Sequence, residues 1–181
     1  MSAKRRNPQP LTATRLEELA LAYVARFATT QARLRSYLQR KVRERGWADD
    51  GEPLLEALVS KHAQAGYVDD QAWARMKTGS MLRRGYGARR VGEALGHAGI
   101  GQQIRSEVEI TRLQQHRAAI VLARRRRFGP FAVQPLDRPV REKQLAAMLR
   151  AGHPLDIARM IVDADDPATL EEWAESACGD D

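Results

Sequence analysis

Residues 95–108, LGHAGIGQQIRSEV, place one apolar residue four positions before a glycine and another nine positions after it. The same register occurs in residues 42–55, VRERGWADDGEPLL, and in residues 148–161, MLRAGHPLDIARMI. The three glycines are therefore evenly spaced, 53 positions apart. Because self-similarity at a fixed period is typical of repeat proteins, the chain is predicted to contain three copies of one structural unit.

The three glycines, Gly46, Gly99 and Gly152, are predicted to end helices. Each follows a helix-forming stretch, and glycine adopts the left-handed conformation at a helix C-terminus without a Cβ penalty. Trp47 and Ile100 supply the apolar residue that favours such an ending in the first two copies. A histidine occupies this position in the third copy, which we interpret as diverged.

Apolar residues recur at helical spacing on both sides of each glycine, and no stretch is typical of a strand. The predicted fold class is all-α, with three tandem three-helix repeats that form an elongated, curved body. A single globular bundle, with the repeat as a trace of duplication, is the alternative. The predicted parts are a disordered basic arm at 1–13, repeats at 14–66, 67–114 and 115–163, and an acidic C-terminal tail at 164–181.

Capping residues predict where the helices begin. Thr14, with a glutamate three residues later, has the spacing of a capping box. Thr29 or Thr30 is predicted to cap the second helix, and Asp69 or Asp70 the fourth. The acidic pairs are therefore interpreted as helix caps rather than as the converging carboxylates of a two-metal nuclease.

Charge is divided unequally along the chain, whose formal net charge is +7. All 30 Lys and Arg residues lie before Asp163, together with 15 of the 23 acidic residues, so residues 1–162 carry a net charge of +15. The remaining residues carry eight acidic groups and no basic one. A body this basic is expected to bind a polyanion. The acidic tail is expected either to fold over the basic surface or to be a disordered, solubilising end.

The predicted location is the cytoplasm. Cys178 is the only cysteine, which excludes an intramolecular disulfide and is typical of a reducing compartment. No stretch is long and apolar enough to span a bilayer, so no membrane partner is expected. The histidines are scattered and the chain has no glycine-rich phosphate loop, so we predict no enzyme activity, no cofactor and no metal site.

The candidate binding residues are basic side chains on the outer faces of helices and at helix junctions, with one aromatic side chain that could stack on a base. Four consecutive arginines point around a whole helix, so two or three at most can contact one phosphate backbone. A solvated helix end is the alternative interpretation. The candidates are Arg33, Arg35, Arg40, Lys41, Arg43, Arg83, Arg84, Tyr86, Arg89, Arg90, Arg124, Arg125, Arg126 and Arg127. Trp47 and Trp73 are predicted to pack in the core instead.

A distinctive set of residues lies in the middle of the chain: Leu58, Gly66-Tyr67-Val68-Asp69-Asp70, Trp73-Ala74, Arg83, Gly85, Arg90-Val91, Leu95 and Gly99-Ile100. Their identities and spacing resemble the signature of the RecX family of bacterial recombination regulators. Arg26, Thr30, Leu34 and Leu38 resemble the family's first repeat. The resemblance spans roughly residues 16–163, and Arg33 stands where a glutamate is expected.

This resemblance implies a non-enzymatic protein of three tandem three-helix units. Family members bind the RecA recombinase, lie along the groove of its filament on single-stranded DNA, and suppress its ATP hydrolysis and strand exchange. The expected partners are therefore the RecA filament and single-stranded DNA, with nonspecific binding to duplex DNA, and the chain is expected to be a monomer. The alternative is a helix-turn-helix-like, sequence-specific DNA-binding transcriptional regulator.

Overall fold

A computed structural model describes residues 9–133 and 137–177. The described residues form α-helices and no strand, which confirms the all-α fold class; the division into three repeats stays a prediction. No described helix has the length and apolar character needed to cross a membrane. The helices are α1 Ala13–Arg26, α2 Gln31–Arg45, α3 Leu55–Gln64, α4 Asp70–Arg83, α5 Ala88–His97, α6 Gln102–Glu107, α7 Arg112–Arg126, α8 Arg138–Arg150, α9 Leu155–Asp163 and α10 Pro167–Ser176.

The chain divides into two compact units. The first is built from the residues up to Trp73 together with Ala98–Ile100, and the second from Ala74–His97 and the residues from Gly101 onwards. In the first unit, apolar side chains of α1, α2 and α3 form one core. Trp73 is buried, as predicted. The fully or almost fully buried residues of this core are Leu11, Leu16, Ala20, Leu34, Leu38, Val59 and Val68.

The starts of α1 and α2 are set by side-chain hydrogen bonds to backbone N–H groups. The predicted cap at Thr30 is confirmed, since its Oγ1 accepts from the Arg33 N–H. The predicted cap at Thr14 is wrong: Thr12 is the cap, and α1 begins at residue 13. The reason is tertiary, because an Asp49 carboxylate oxygen accepts the Ala13 N–H at 2.6 Å.

The predicted disordered arm spans residues 1–13, of which residues 1–8 lie outside the described residues. Leu11 is completely buried, its N–H donates to the Gly46 carbonyl at 2.9 Å, and its carbonyl accepts from Ala48 at 2.9 Å. The end of the arm is thus paired with the chain on both sides of Trp47, at the first repeat glycine and at Ala48. The prediction of a disordered arm is therefore wrong at Leu11. The polar composition and the two prolines of the arm gave no sign that this leucine packs in the core.

In the second unit, α7, α8, α9 and α10 share a core. Leu170 and Ala174 of α10 are buried in it, and Trp173 stacks on His116 with ring centroids 3.7 Å apart. Asp166 caps α10 by accepting from the Thr169 N–H at 3.0 Å. The described part of the acidic tail is therefore a packed helix, and the expectation of a disordered end is wrong there.

Backbones meet closely where α5 begins and α8 ends. Gly152, at φ +95°, ends α8, and the His153 N–H donates back to the Met148 carbonyl, so a histidine is tolerated after this glycine. The Gly87 N–H donates to the Ala151 carbonyl at 2.9 Å. A Cβ on Gly87 would lie 2.5 Å from the His153 nitrogen, so no other residue fits there without displacing the backbone.

We expect Gly87→Ala to lower the free energy of unfolding by about 1–3 kcal/mol, because the added methyl overpacks a backbone contact. Gly92→Ala is the matched control in α5, where a Cβ meets nothing within 4 Å. It should raise stability by up to about 1 kcal/mol through helix propensity. Urea unfolding followed by circular dichroism measures both changes, and equal stability of the two variants would contradict the close-contact argument.

Candidate nucleic-acid interface

A pocket lined by arginines lies in the second unit, where α4, α7 and α8 end and α5 begins. Its volume is about 300 Å³. The C-terminal ends of three helices concentrate partial negative charge here, which favours cationic side chains. Among the described residues, no acidic side chain lines the pocket. The lining residues are Arg84, Tyr86, Arg90, Leu122, Arg125, Arg126, Phe128, Ala147, Arg150 and Ala151.

Two helices that border the pocket, α4 and α7, end in a left-handed residue, and this backbone conformation sets the positions of the side chains nearby. Gly85, at φ +85°, ends α4, and the Tyr86 N–H donates back to the Met81 carbonyl at 3.1 Å. Arg127 ends α7 at φ +57°, and among the described residues it is the one non-glycine with positive φ. A residue with a Cβ occupies that region at a cost of about 1–2 kcal/mol, so the packing around α7 outweighs a local preference.

Some arginines at this junction serve the fold. The Arg125 guanidinium donates to the Arg84 carbonyl at 2.8 Å, and the Arg89 guanidinium donates to the Leu149 carbonyl at 2.8 Å. Arg89 and Arg90 also form ion pairs with Glu93, and the hydrogen bond from Arg90 lowers the pKa of that carboxyl. The helix-end interpretation is therefore supported for Arg89 and Arg125.

Other arginines at the pocket are not paired with carboxylates of the described residues. Within residues 9–133 and 137–177, Arg84, Arg126 and Arg150 form no ion pair with a carboxylate, and all three are exposed. The guanidinium of Arg84 lies 5.6 Å from the centroid of the Tyr86 ring, which is 36% exposed. A guanidinium beside an aromatic ring is a surface on which a base can stack.

Two backbone N–H groups at the start of α5 are already used within the fold. The Gly87 N–H donates to the Ala151 carbonyl at 2.9 Å, and the Arg89 N–H donates to the Gly152 carbonyl at 3.3 Å. The carbonyl end of α8 thus occupies donors that a helix N-terminus would otherwise offer to an anion. Arginine side chains are the cationic groups that remain for an anion at this junction.

The candidates on α2 lie in the first unit, and three of the five form ion pairs with one of two carboxylates. Arg40 and Lys41 pair with Glu44 at 3.6 and 2.7 Å, and Arg35 pairs with Glu56. The Arg33 guanidinium lies 4.8 Å from the Trp73 ring centroid, while Arg43 is exposed. The α2 surface therefore carries less uncompensated charge than its sequence suggests.

The run of four arginines points in several directions, as consecutive helical positions must. Arg124 pairs with Glu171 of α10 at 2.6 Å and lies over the Phe131 ring. Arg125 and Arg126 line the pocket, while Arg127 forms the helix ending. Arg83 is exposed at the end of α4 but is not among the residues that line the pocket.

Arg150 was missed by sequence reasoning. It lies at the end of α8, two positions before the third repeat glycine, and lines the same pocket as Arg84 and Arg126. The available signal was its register, because a basic residue in the last turn before a repeat glycine is placed at a helix end. Among the described residues, no group of three His, Cys, Asp or Glu side chains is placed to hold a metal ion.

A buried histidine lies beneath the junction. His153 is 3% exposed, and one ring nitrogen, Nε2, lies 3.0 Å from the Gly85 carbonyl. Burial lowers the pKa of His153 below its usual 6.5, and the contact with the Gly85 carbonyl only partly opposes this effect. The imidazole is therefore neutral at pH 7 and holds the end of α4 near the end of α8.

We expect His153 to make stability depend on pH. Because its pKa is lower in the folded state, the unfolded chain binds the proton more readily, so stability is lost as pH falls below about 6.5. His153→Gln removes this titration and retains a donor for the Gly85 carbonyl. The difference in unfolding free energy between the native chain and the variant should shrink from pH 7.5 to pH 5.5 in urea titrations. A difference independent of pH would contradict the assignment.

Acidic side chains of α10 offset part of the charge near Arg124. If this contact screens the basic surface, Glu171→Gln should raise affinity for single-stranded DNA at low salt by up to about fivefold, since an exposed ion pair contributes up to about 1 kcal/mol. Glu142→Gln is the matched control, because Glu142 pairs with the highly exposed Arg138 in the same unit. Fluorescence anisotropy of labelled oligonucleotides compares them, and an equal gain in both would exclude screening by α10.

Comparison with known proteins yields a consistent group of relatives. A curated protein of Myxococcus xanthus (strain DK1622), Regulatory protein RecX, is 33% identical over 169 residues, which covers 88% of this chain and 90% of the relative. Regulatory protein RecX of Agrobacterium fabrum is 28% identical and covers 83% of this chain and 80% of the relative. The chain matches no protein-family model.

Solved structures have the same fold. The crystal structure of RecX from Lactobacillus salivarius aligns with a TM-score of 0.66 at 17% identity, covering 91% of this chain and 97% of the other. A second crystal structure, of a regulatory protein RecX, aligns with a TM-score of 0.65 at 20% identity, covering 84% of this chain and 72% of the other.

Proposed function

Since the chain belongs to the RecX family of regulatory proteins, we propose that it binds the RecA recombinase filament on single-stranded DNA and lowers its ATP hydrolysis and strand exchange. A regulatory role follows from the relatives, and the recombinase is the partner that the family resemblance implies. The protein acts by binding rather than by catalysis, as a cytoplasmic monomer, in recombination and DNA repair.

The observation that carries this proposal is the arginine-lined pocket. Arg84, Arg126 and Arg150 converge there without carboxylate partners among the described residues, so their charge is available to a phosphate backbone. Arginine binds phosphate through paired N–H donors, and each phosphate contact releases counterions from the nucleic acid. A filament with DNA in its groove offers such phosphates continuously.

We expect titration of the protein to lower the rate of ATP hydrolysis by RecA on single-stranded DNA. The triple variant Arg84/Arg126/Arg150→Ala should need a higher concentration for the same effect, and its dependence on salt should weaken by about 2 in logarithmic slope if three phosphate contacts are lost. The measurement is steady-state phosphate release at several salt concentrations. An unchanged hydrolysis rate with the native chain would overturn the proposal.

The matched control is Arg35/Arg40/Lys41→Ala, which removes three positive charges, each of which forms an ion pair with Glu44 or Glu56. If this control loses as much potency against ATP hydrolysis as the pocket variant does, the pocket is not part of the interface.

Titration with duplex DNA tests the alternative function. A helix-turn-helix-like transcriptional regulator should prefer one sequence over others by several kcal/mol, whereas a filament regulator should bind without sequence preference.

A further inference from the structure

We infer that the arginine-lined pocket takes one unpaired nucleotide of single-stranded DNA, holding its phosphate on arginines and its base against Tyr86 and the apolar floor. This inference deepens the proposed function and rests on it for the choice of single-stranded DNA as the ligand. It adds a defined subsite, a role for the base, and a reason for the protein to distinguish single strands from duplexes.

The pocket has a cationic side and an apolar surface, which suit the phosphate and the base of a nucleotide respectively. Arg84, Arg126 and Arg150 supply guanidinium groups at its exposed side, where a phosphate can remain partly hydrated. Leu122 and Phe128 are half-buried and supply an apolar surface in the same cavity. A site for phosphate alone would need no apolar surface, and a site for an apolar ligand would not gather arginines.

Tyr86 is placed to contact the base. Its ring is partly exposed at the pocket and has the Arg84 guanidinium 5.6 Å from its centroid. Bases of any type stack on aromatic rings and guanidinium planes, so contact here requires no particular sequence. The volume of about 300 Å³ gives the pocket room for a base as well as a phosphate.

Duplex DNA is disfavoured by the same geometry. A paired base reaches a pocket only after it leaves the stack, and this extrusion costs free energy that a single strand does not spend. Phosphate contacts alone would not make this distinction, because both forms of DNA present phosphates. The base subsite therefore predicts a preference for single strands that depends on the Tyr86 ring.

The test compares oligothymidine with an abasic oligonucleotide of the same length, which keeps the phosphates and lacks the bases. The native full-length chain should bind oligothymidine at least about fivefold more tightly in fluorescence anisotropy, the lower end of a stacking contribution. Tyr86→Ala should lose this preference. Arg126→Ala should weaken binding to both oligonucleotides by the same factor, and by more than Arg138→Ala, a charge-matched control in the same unit that does not line the pocket.

Tyr67→Ala is the control for the loss of a tyrosine. Tyr67 follows Gly66 at the end of α3 as Tyr86 follows Gly85 at the end of α4, and it is 60% exposed in the first unit. It should keep the preference for oligothymidine. Thermal melting by circular dichroism checks that the variants fold, and the comparison of the two oligonucleotides with the native chain needs no variant.

Equal binding of the native chain to the two oligonucleotides would overturn the inference, as would a preference that survives in Tyr86→Ala. The assay contains no recombinase, so its failure is distinct from failure of the proposed function. A native chain that lowers hydrolysis by RecA but ignores the missing bases would overturn the base subsite alone. A chain that requires the bases but leaves hydrolysis unchanged would support the subsite and overturn the proposed function.

Discussion

Close backbone contact at Gly85, Gly87 and Gly152 is the constraint on which the organisation of the second unit depends. A Cβ at Gly85 would lie 2.8 Å from the Leu122 nitrogen, and one at Gly152 would lie 2.5 Å from the Arg90 nitrogen. These glycines let the end of α4 contact α7 and the start of α5 contact the end of α8. Without them, the helix ends would be held apart by side chains and the pocket would not form.

This contact has an electrostatic consequence. Three helices end at one place, and their last carbonyls concentrate partial negative charge that arginine side chains can stabilise. Arg89 and Arg125 are used in this way, since each donates to a helix-end carbonyl. Among the described residues, Arg84, Arg126 and Arg150 donate to no helix-end carbonyl and pair with no carboxylate, so the arginines gathered at these helix ends also form a cationic surface. We interpret the binding surface as a consequence of the way in which α4, α7 and α8 end close together.

Local patterns in the sequence predicted helical structure, glycine endings and the cap at Thr30 correctly, because these depend on neighbouring residues. Contacts between distant segments explain the errors. The Asp49 carboxylate binds the Ala13 N–H, so α1 begins earlier than predicted. Leu11 pairs with the chain around Gly46, and Leu170 packs α10 on α7. None of these partners is near in sequence, so composition and spacing carry little information about them.

Sequence patterns were enough to establish that the chain is all-α, at which glycines its helices end, and that its basic residues lie before residue 163. Backbone conformation and charge are properties of short segments, and short segments can be read directly. Only tertiary contacts show which cations stay available: Glu44 and Glu56 pair with Arg35, Arg40 and Lys41 of α2, whereas Arg84, Arg126 and Arg150 line one pocket without carboxylate partners among the described residues. The physical reason is that charge compensation depends on distances of a few ångströms between residues far apart along the chain.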